Sequence, residues 1–241
     1  MRIYPAIDII DGRCVRLVQG DYKQLSVYNE NPAEVAKAFE EAGATYLHIV
    51  DLDGARKGTA HNDETVKRIL QEVSIPVQIG GGIRTMADIE SKLEMGITRV
   101  ILGTIAVTDP NLTQKAVAKF GKAVAVGVDA SNGKVAITGW TSVSDLDSVS
   151  MIRQLGEAGV DTVIYTDVAK DGMMSGPNVP MYREVSNEAS RLKLNIIAAG
   201  GVTTIDDVKS LRETGISGAI IGKALYLDSI DLKEAIEVAA I

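Results

Sequence analysis

The chain carries one glycine signature twice, at a fixed distance. Ile79-Gly80-Gly81-Gly82-Ile83 is followed by Ile101-Leu102-Gly103-Thr104, and the pattern returns as Ala199-Gly200-Gly201-Val202 followed by Ile220-Ile221-Gly222-Lys223. Gly81 to Gly200 and Gly103 to Gly222 are each 119 positions, close to half of the 241 residues. An equal offset at two separated points predicts two halves built to one plan. Each copy is an apolar run ending in glycine at the mouth of a helical pattern, where backbone N–H groups and the helix dipole suit an anion. A single turn of this kind is better explained as a strand-to-helix connection. The paired repeat favours two phosphate cradles.

Around these turns, short apolar runs alternate with helical stripes. Strands are predicted at residues 2–7, 45–50, 76–79, 99–102, 123–128, 161–165, 194–198 and 217–221. Val35, Ala38, Phe39 and Ala42 mark a first helix closed by Gly43, and Val66, Ile69, Leu70 and Val73 a second. Further helices are expected around 86–93, 111–120, 149–155, 181–190, 205–212 and 232–239. Near-continuous apolar strands imply cover on both faces. Eight strand–helix units in this length predict a single-domain (β/α)8 TIM barrel of two half-barrels, approximately 1–120 and 121–241, with the strand C-termini and following loops as the active face. An open doubly wound sheet competes, but no dinucleotide fingerprint follows the first strand. Residues 9–31 read as a long polar connection. Asn132-Gly133 reads as a hairpin that carries residues 135–140 outward from the barrel mouth.

A hydrophobic content of 46% beside 24% charged residues is that of a soluble globular protein, and no apolar run reaches membrane-spanning length. A cytoplasmic location is therefore expected. The net charge of −7 speaks against a nucleic-acid surface, so an anionic ligand has to be held by local dipoles and a few cations. The lone Cys14 excludes an internal disulfide framework and has no evident activating partner.

Asp8 closes the first strand and Asp129 the fifth, 121 positions apart. Opposite strands of a barrel would set them across the mouth from each other. Either one alone could simply cap a turn. As a pair between two phosphate sites they read as an acid–base couple, and the acid needs its pKa raised from about 3.9. Thr166 and Asp171 could orient Asp129 or a substrate hydroxyl, or serve as turn residues. Among loop cations, Arg16 and Arg84 are the best anion ligands; Lys57 and Lys170 read as solvated. Trp140 either stacks on a planar ring or packs on the barrel rim. His48 reads as a satisfied strand residue rather than a base, and with His61 as the only other histidine no metal-ligand cluster is expected.

Pro5-Ala6-Ile7-Asp8, Gly12-Arg13-Cys14-Val15-Arg16-Leu17-Val18-Gln19-Gly20, His48-Ile49-Val50-Asp51-Leu52-Asp53-Gly54-Ala55 and Gly80-Gly81-Gly82-Ile83-Arg84 closely resemble the histidine-biosynthesis isomerases of the HisA family. Gly139-Trp140, Thr166-Asp167-Val168-Ala169-Lys170-Asp171-Gly172 and Ala199-Gly200-Gly201-Val202 extend the resemblance along the whole chain. It implies an Amadori rearrangement of N-(phosphoribosyl)formimino-aminoimidazole carboxamide ribonucleotide, an aminoaldose, to the phosphoribulosyl aminoketose. It further implies that Asp129 is the general acid opening the ribose, Asp8 the base removing the C2 proton, and Thr166 a support for the acid. Arg16 would contact substrate and Trp140 would pack on its ring. Gly20, Gly81, Gly82, Arg84, Gly103, Thr104, Asp171, Gly176, Gly200, Gly201, Gly222 and Lys223 complete the implied substrate-binding set. No cofactor or metal is implied, and the expected partner is a small bisphosphorylated ribonucleotide, bound by a monomer without nucleic acid or membrane. Alternatives remain at this point. In the sister cyclase the first aspartate usually follows Cys-Leu, whereas here it follows Ala6-Ile7, and a cyclase needs an ammonia-donating partner. An isomerase that also accepts phosphoribosyl anthranilate would differ mainly in the loop after strand five. A non-catalytic sugar-phosphate-binding barrel is disfavoured by the intact aspartates.

Overall fold

In the computed structural model, which describes residues 1–59 and 61–241, the alternating pattern closes into a ring. The first half contains β1 (Arg2–Ile10), β2 (Arg13–Val18), β3 (Asp21–Asn29), β4 (Leu47–Asp51), β5 (Val77–Gly80) and β6 (Arg99–Leu102). The second contains β7 (Val124–Ser131), β8 (Lys134–Ile137), β9 (Ser142–Asp147), β10 (Thr162–Asp167), β11 (Asn195–Ala199) and β12 (Gly218–Ile221). Parallel pairing runs β10-β11-β12-β1-β4-β5-β6-β7, and β7 pairs with β10 to close the barrel. Helices α1 (Pro32–Glu41), α2 (Leu52–Lys57), α3 (Asp63–Glu72), α4 (Met86–Glu94), α5 (Ile105–Thr108) and α6 (Pro110–Phe120) belong to the first half. They are followed by α7 (Ser148–Glu157), α8 (Val179–Leu192), α9 (Ile205–Arg212), α10 (Lys223–Tyr226) and α11 (Leu232–Ala240). Among the described residues, no helix is long and apolar enough to cross a membrane.

The main core lies between strands and helices, and a second apolar cluster fills the barrel interior. Tyr4 and Tyr46, with ring centroids 5.2 Å apart, close the lower end of that interior. Above them the inward residues shrink to Ala6, Ala125 and Ala199, so side-chain volume falls toward the C-terminal face and space opens there.

Residues 9–31 are not the polar connection expected from their composition. β1 continues to Ile10, β2 folds back antiparallel on it, and β3 pairs antiparallel with β2. The turn between β1 and β2 is Asp11-Gly12, with φ of 47° and 75°, and it joins the Ile10–Arg13 pair. This is the primed-turn chemistry of Asn132-Gly133, at φ 50° and 76° between Ser131 and Lys134. β3 is half-solvated on both faces, so its polar side chains concealed a strand that is held by backbone pairing and a small cluster of Ile10, Val15 and Leu17. The first helix keeps Val35, Phe39 and Ala42 of its expected stripe half-buried against the core, but its most buried positions are smaller residues. Pro32, Ala33 and Ala36 are buried and Ala38 is exposed. Small side chains let α1 approach the barrel closely, so size rather than hydrophobicity chose the face.

Candidate active site

Strand alternation decides what points into the barrel. On β1, Tyr4 and Ala6 face the interior, so Asp8 does too, at the C-terminal end. On β7, Ala125 is inward and Asp129 follows four residues on; on β10, Ile164 is inward and Thr166 follows two on. β1 and β7 stand four strands apart around the eight-stranded ring, so the two aspartates face each other across its mouth. Both line one cavity of about 340 Å³ on the C-terminal face.

The glycine signatures occupy the remaining quarters of the ring. Gly81, Gly82 and Gly103 line the cavity where β5 and β6 end; Gly200, Gly201 and Gly222 line it where β11 and β12 end. Gly81 (φ 106°) lies against the Asp51 carbonyl at the end of β4, and Gly200 (φ 95°) against the Asp167 carbonyl at the end of β10. Gly82 lies against the Gly54 backbone, and Gly201 against the Gly176 carbonyl. The helices that follow start alike. Thr85 with Asp88 and Thr204 with Asp207 form capping boxes, at φ −131° with ψ 163° and 164° respectively.

The carboxylates of the cavity sit in contrasting surroundings. Arg16 Nη1 donates to Asp8 Oδ2 at 2.7 Å, and Arg16 Nη2 donates to the Ala6 carbonyl. The guanidinium lies 4.9 Å from the Tyr226 ring centroid and covers Gly222. Among the described residues Asp129 has no cation partner. Trp140 Nε1 donates to its Oδ2 at 2.8 Å, and Thr166 is its register partner across β7–β10. Burial raises the Asp129 pKa above the ordinary aspartate value, and the hydrogen bonds of Trp140 and Thr166 pull it part of the way back. Asp171 is pushed up to about 6, first by burial and then by the charge of Asp8.

A family model described as histidine biosynthesis protein matches residues 2–231. The chain belongs to the histidine biosynthesis protein family. It is 48% identical over 239 residues to a protein of Acetivibrio thermocellus, covering 99% of this chain and 100% of the relative. A protein of Clostridioides difficile is 48% identical over 235 residues, 98% of this chain and 97% of the relative. One of Listeria monocytogenes is 46% identical over 241 residues, 100% and 99%. All three are named 1-(5-phosphoribosyl)-5-((5-phosphoribosylamino)methylideneamino) imidazole-4-carboxamide isomerase.

In this histidine biosynthesis barrel, Gly20, Arg84, Thr104, Trp140, Asp171 and Lys223 also reach the cavity. Gly176 does not; its carbonyl sits behind Gly201 and shapes the second cradle from outside. Thr138, Gly139 and Trp140 adopt φ of 56°, 59° and 69°, a left-handed run that swings the indole over Gly20 and onto Asp129. Trp140 thus bridges Gly20, in the turn between β2 and β3, and Asp129 on β7. Lys223 Nζ donates to the Gly172 carbonyl at 2.9 Å, and Thr104 Oγ1 accepts from Thr138 N–H at 3.1 Å, so each cradle is tied to a loop from a nearby strand of the ring.

Several framework residues escaped sequence reasoning. Asp51 accepts from Gly54 N–H and Asn62 Nδ2; Asp167 accepts from Ala169 N–H and Asn178 Nδ2. An Asp followed eleven positions later by Asn, once in each half, is the signal that could have found them. Asp11, Asp53 and His61 bring potential metal-ligand atoms within 4.8 Å of one another. Lys57 Nζ already stands in that cluster, 3.6 Å from Asp53 Oδ1 and 3.2 Å from His61 Nε2, and supplies part of its counter-charge.

The glycines separate two kinds of substitution. A Cβ at Gly81 would overlap the Asp51 carbonyl oxygen and require a left-handed backbone. Gly81→Ala should cost about 3 kcal/mol and lower Tm by roughly 6–12 °C in a thermal scan. At Gly103 a Cβ meets nothing within 4 Å. Gly103→Ala should therefore melt near wild type yet bind inorganic phosphate roughly tenfold more weakly in competition titration, because its methyl intrudes on the anion's approach.

Proposed function

We propose that this chain catalyses the Amadori rearrangement of N-(phosphoribosyl)formimino-aminoimidazole carboxamide ribonucleotide to its phosphoribulosyl aminoketose in histidine biosynthesis. The observation that carries this is the pair Asp8 and Asp129, opposed across one cavity with a glycine cradle on either side. A ligand with a phosphate at each end would span cradle to cradle and lay its reacting ribose between the carboxylates. Half-barrel 1–120 would supply Asp8 and the first cradle, and half-barrel 121–241 Asp129 and the second.

Asp129, whose pKa burial raises, gives its proton to the ribose ring oxygen as the C1–O bond breaks, leaving an open-chain Schiff base. Asp8, oriented by Arg16, then removes the C2 proton. The electron pair moves into the C1–C2 bond and neutralises the iminium nitrogen, giving an enolamine. Loss of the C2 hydroxyl proton and protonation at C1 complete the aminoketose. Trp140 covers the site and Thr166 steadies the acid, while the cradles, with Arg84 and Lys223, take up phosphate charge.

Incubating the purified protein with the aminoaldose, and separately with phosphoribosyl anthranilate, tests both activity and breadth. Conversion of the aminoaldose is expected. Binding without conversion would turn the protein into a sugar-phosphate carrier and end the proposal.

A further inference from the structure

Below the carboxylates runs a buried polar chain that the mechanism above leaves unused. Gln78 on β5 is in register with His48 on β4 and with Arg99 on β6, so all three occupy one inward layer. Arg99 Nη1 donates to Gln78 Oε1 at 3.1 Å, and Gln78 Nε2 lies 2.9 Å from His48 Nδ1. Arginine offers only donors, so the amide must turn its oxygen toward Arg99 and its N–H toward the histidine. His48 Nδ1 is therefore an acceptor, and the neutral ring carries its proton on Nε2.

Burial first, then the charges of Arg16 and Arg99, push the imidazole pKa down to about 3, so the ring is neutral at any pH near neutrality. The charged groups around it are Arg16 from β2, Arg99 from β6 and Asp8 from β1. Ala6 is the register partner of His48 and Asp8 that of Val50, which sets the imidazole one layer beneath the Asp8 carboxylate. Among the described residues only its Nδ1 makes a hydrogen bond, and the ring lines the same cavity as Asp8 and Asp129.

We infer that His48 is a tautomer-locked neutral donor, presenting Nε2–H to an oxygen of the substrate sugar beside the carbon that Asp8 deprotonates. Gln78 and Arg99 are the positioning residues that hold the lock. The inference rests on the isomerase function proposed above. A fixed N–H that can neither accept nor become charged suits the C2 oxygen, which gains electron density as its hydroxyl proton is lost and the ketose carbonyl forms.

Nitrogen-15 NMR of the wild type tests the lock directly, because the chain has two histidines and a His61→Asn variant assigns the signals. His48 is expected to keep the Nε2–H tautomer from about pH 5 to 8, and its Nε2–H signal to shift when the aminoketose product is added. Titration in that range, an Nδ1–H tautomer, or an Nε2–H signal indifferent to product would overturn the inference. Gln78→Glu still pairs with Arg99 but offers Nδ1 an acceptor, so it should drive the proton to Nδ1 and lower kcat roughly 10- to 100-fold with a smaller change in KM. His48→Gln, whose amide N–H can reach toward the position of Nε2–H, should retain more rate than His48→Leu. Wild-type turnover with unchanged kcat in both Gln78→Glu and His48→Leu would sink the inference alone. A wild type that converts nothing would sink the proposed function instead, and the NMR result would still decide the tautomer.

Discussion

Asp8→Asn is expected to lower kcat about 10³- to 10⁴-fold while leaving affinity for the aminoketose product within a few-fold of wild type. The carboxamide oxygen can still accept from Arg16 Nη1, which donates to Asp8 Oδ2 at 2.7 Å, so the side chain keeps its place. What it loses is the capacity to take a proton, and no other group stands ready to replace it: His48 is neutral with Nδ1 engaged, and Asp171 belongs to a different strand end. The choice of Asn matters. Asp8→Ala would strand the Arg16 guanidinium, whose side chain is 10% exposed, without its counter-charge, at a cost of about 3–5 kcal/mol. A loss of rate in that variant could then come from unfolding. Steady-state kinetics with product affinity by calorimetry check the claim. An Asn variant with a rate within tenfold of wild type would remove Asp8 from the chemistry, and one with no product affinity would make it a binding residue.

Most of the barrel was legible because its eight parallel strands are largely buried on both faces and therefore read as near-continuous apolar runs. The paired glycine turns were legible through repetition, since Gly81 and Gly200 each need a left-handed backbone against a carbonyl that admits no side chain. Elements outside the ring obey weaker rules. β2 and β3 are held by backbone pairing and leave polar side chains in solvent, so composition pointed to a loop although Asp11-Gly12 marked the turn. The short helices α5 and α10 are too brief to set up a stripe. The placement of Trp140 depends on three successive positive φ values, which no period in the sequence encodes. His48 reads from sequence as a satisfied strand residue, and its hydrogen bond to Gln78, which links it to Arg99, needed the register of three strands.

Asp129→Asn should also lose turnover, by about 10²- to 10⁴-fold, and with an opposite effect on the fold. Burial is the largest influence on this carboxyl and raises its pKa, whereas Trp140 and Thr166 donate hydrogen bonds that favour the charged form and lower it. A carboxyl whose folded pKa exceeds its unfolded value contributes stability that is fully present below the unfolded pKa and is lost as pH rises through the folded one. Asparagine never ionises, so the variant should melt at or above the wild-type temperature at pH 8 and lose that advantage in acid. The same sign governs rate. The acid must be protonated to open the ribose, so kcat/KM should fall as pH rises through the Asp129 pKa. Trp140→Phe removes the indole N–H that donates to Asp129 Oδ2 at 2.8 Å, which favours the protonated form further. Its alkaline limb should therefore move to higher pH even as kcat drops from the loss of the cover over the site. A pH–rate profile of wild type and Trp140→Phe measures this shift. Movement of the limb to lower pH would mean that the group titrating there is not Asp129, and the assignment of the acid would have to pass to Asp171, the other carboxyl in the cavity with a raised pKa.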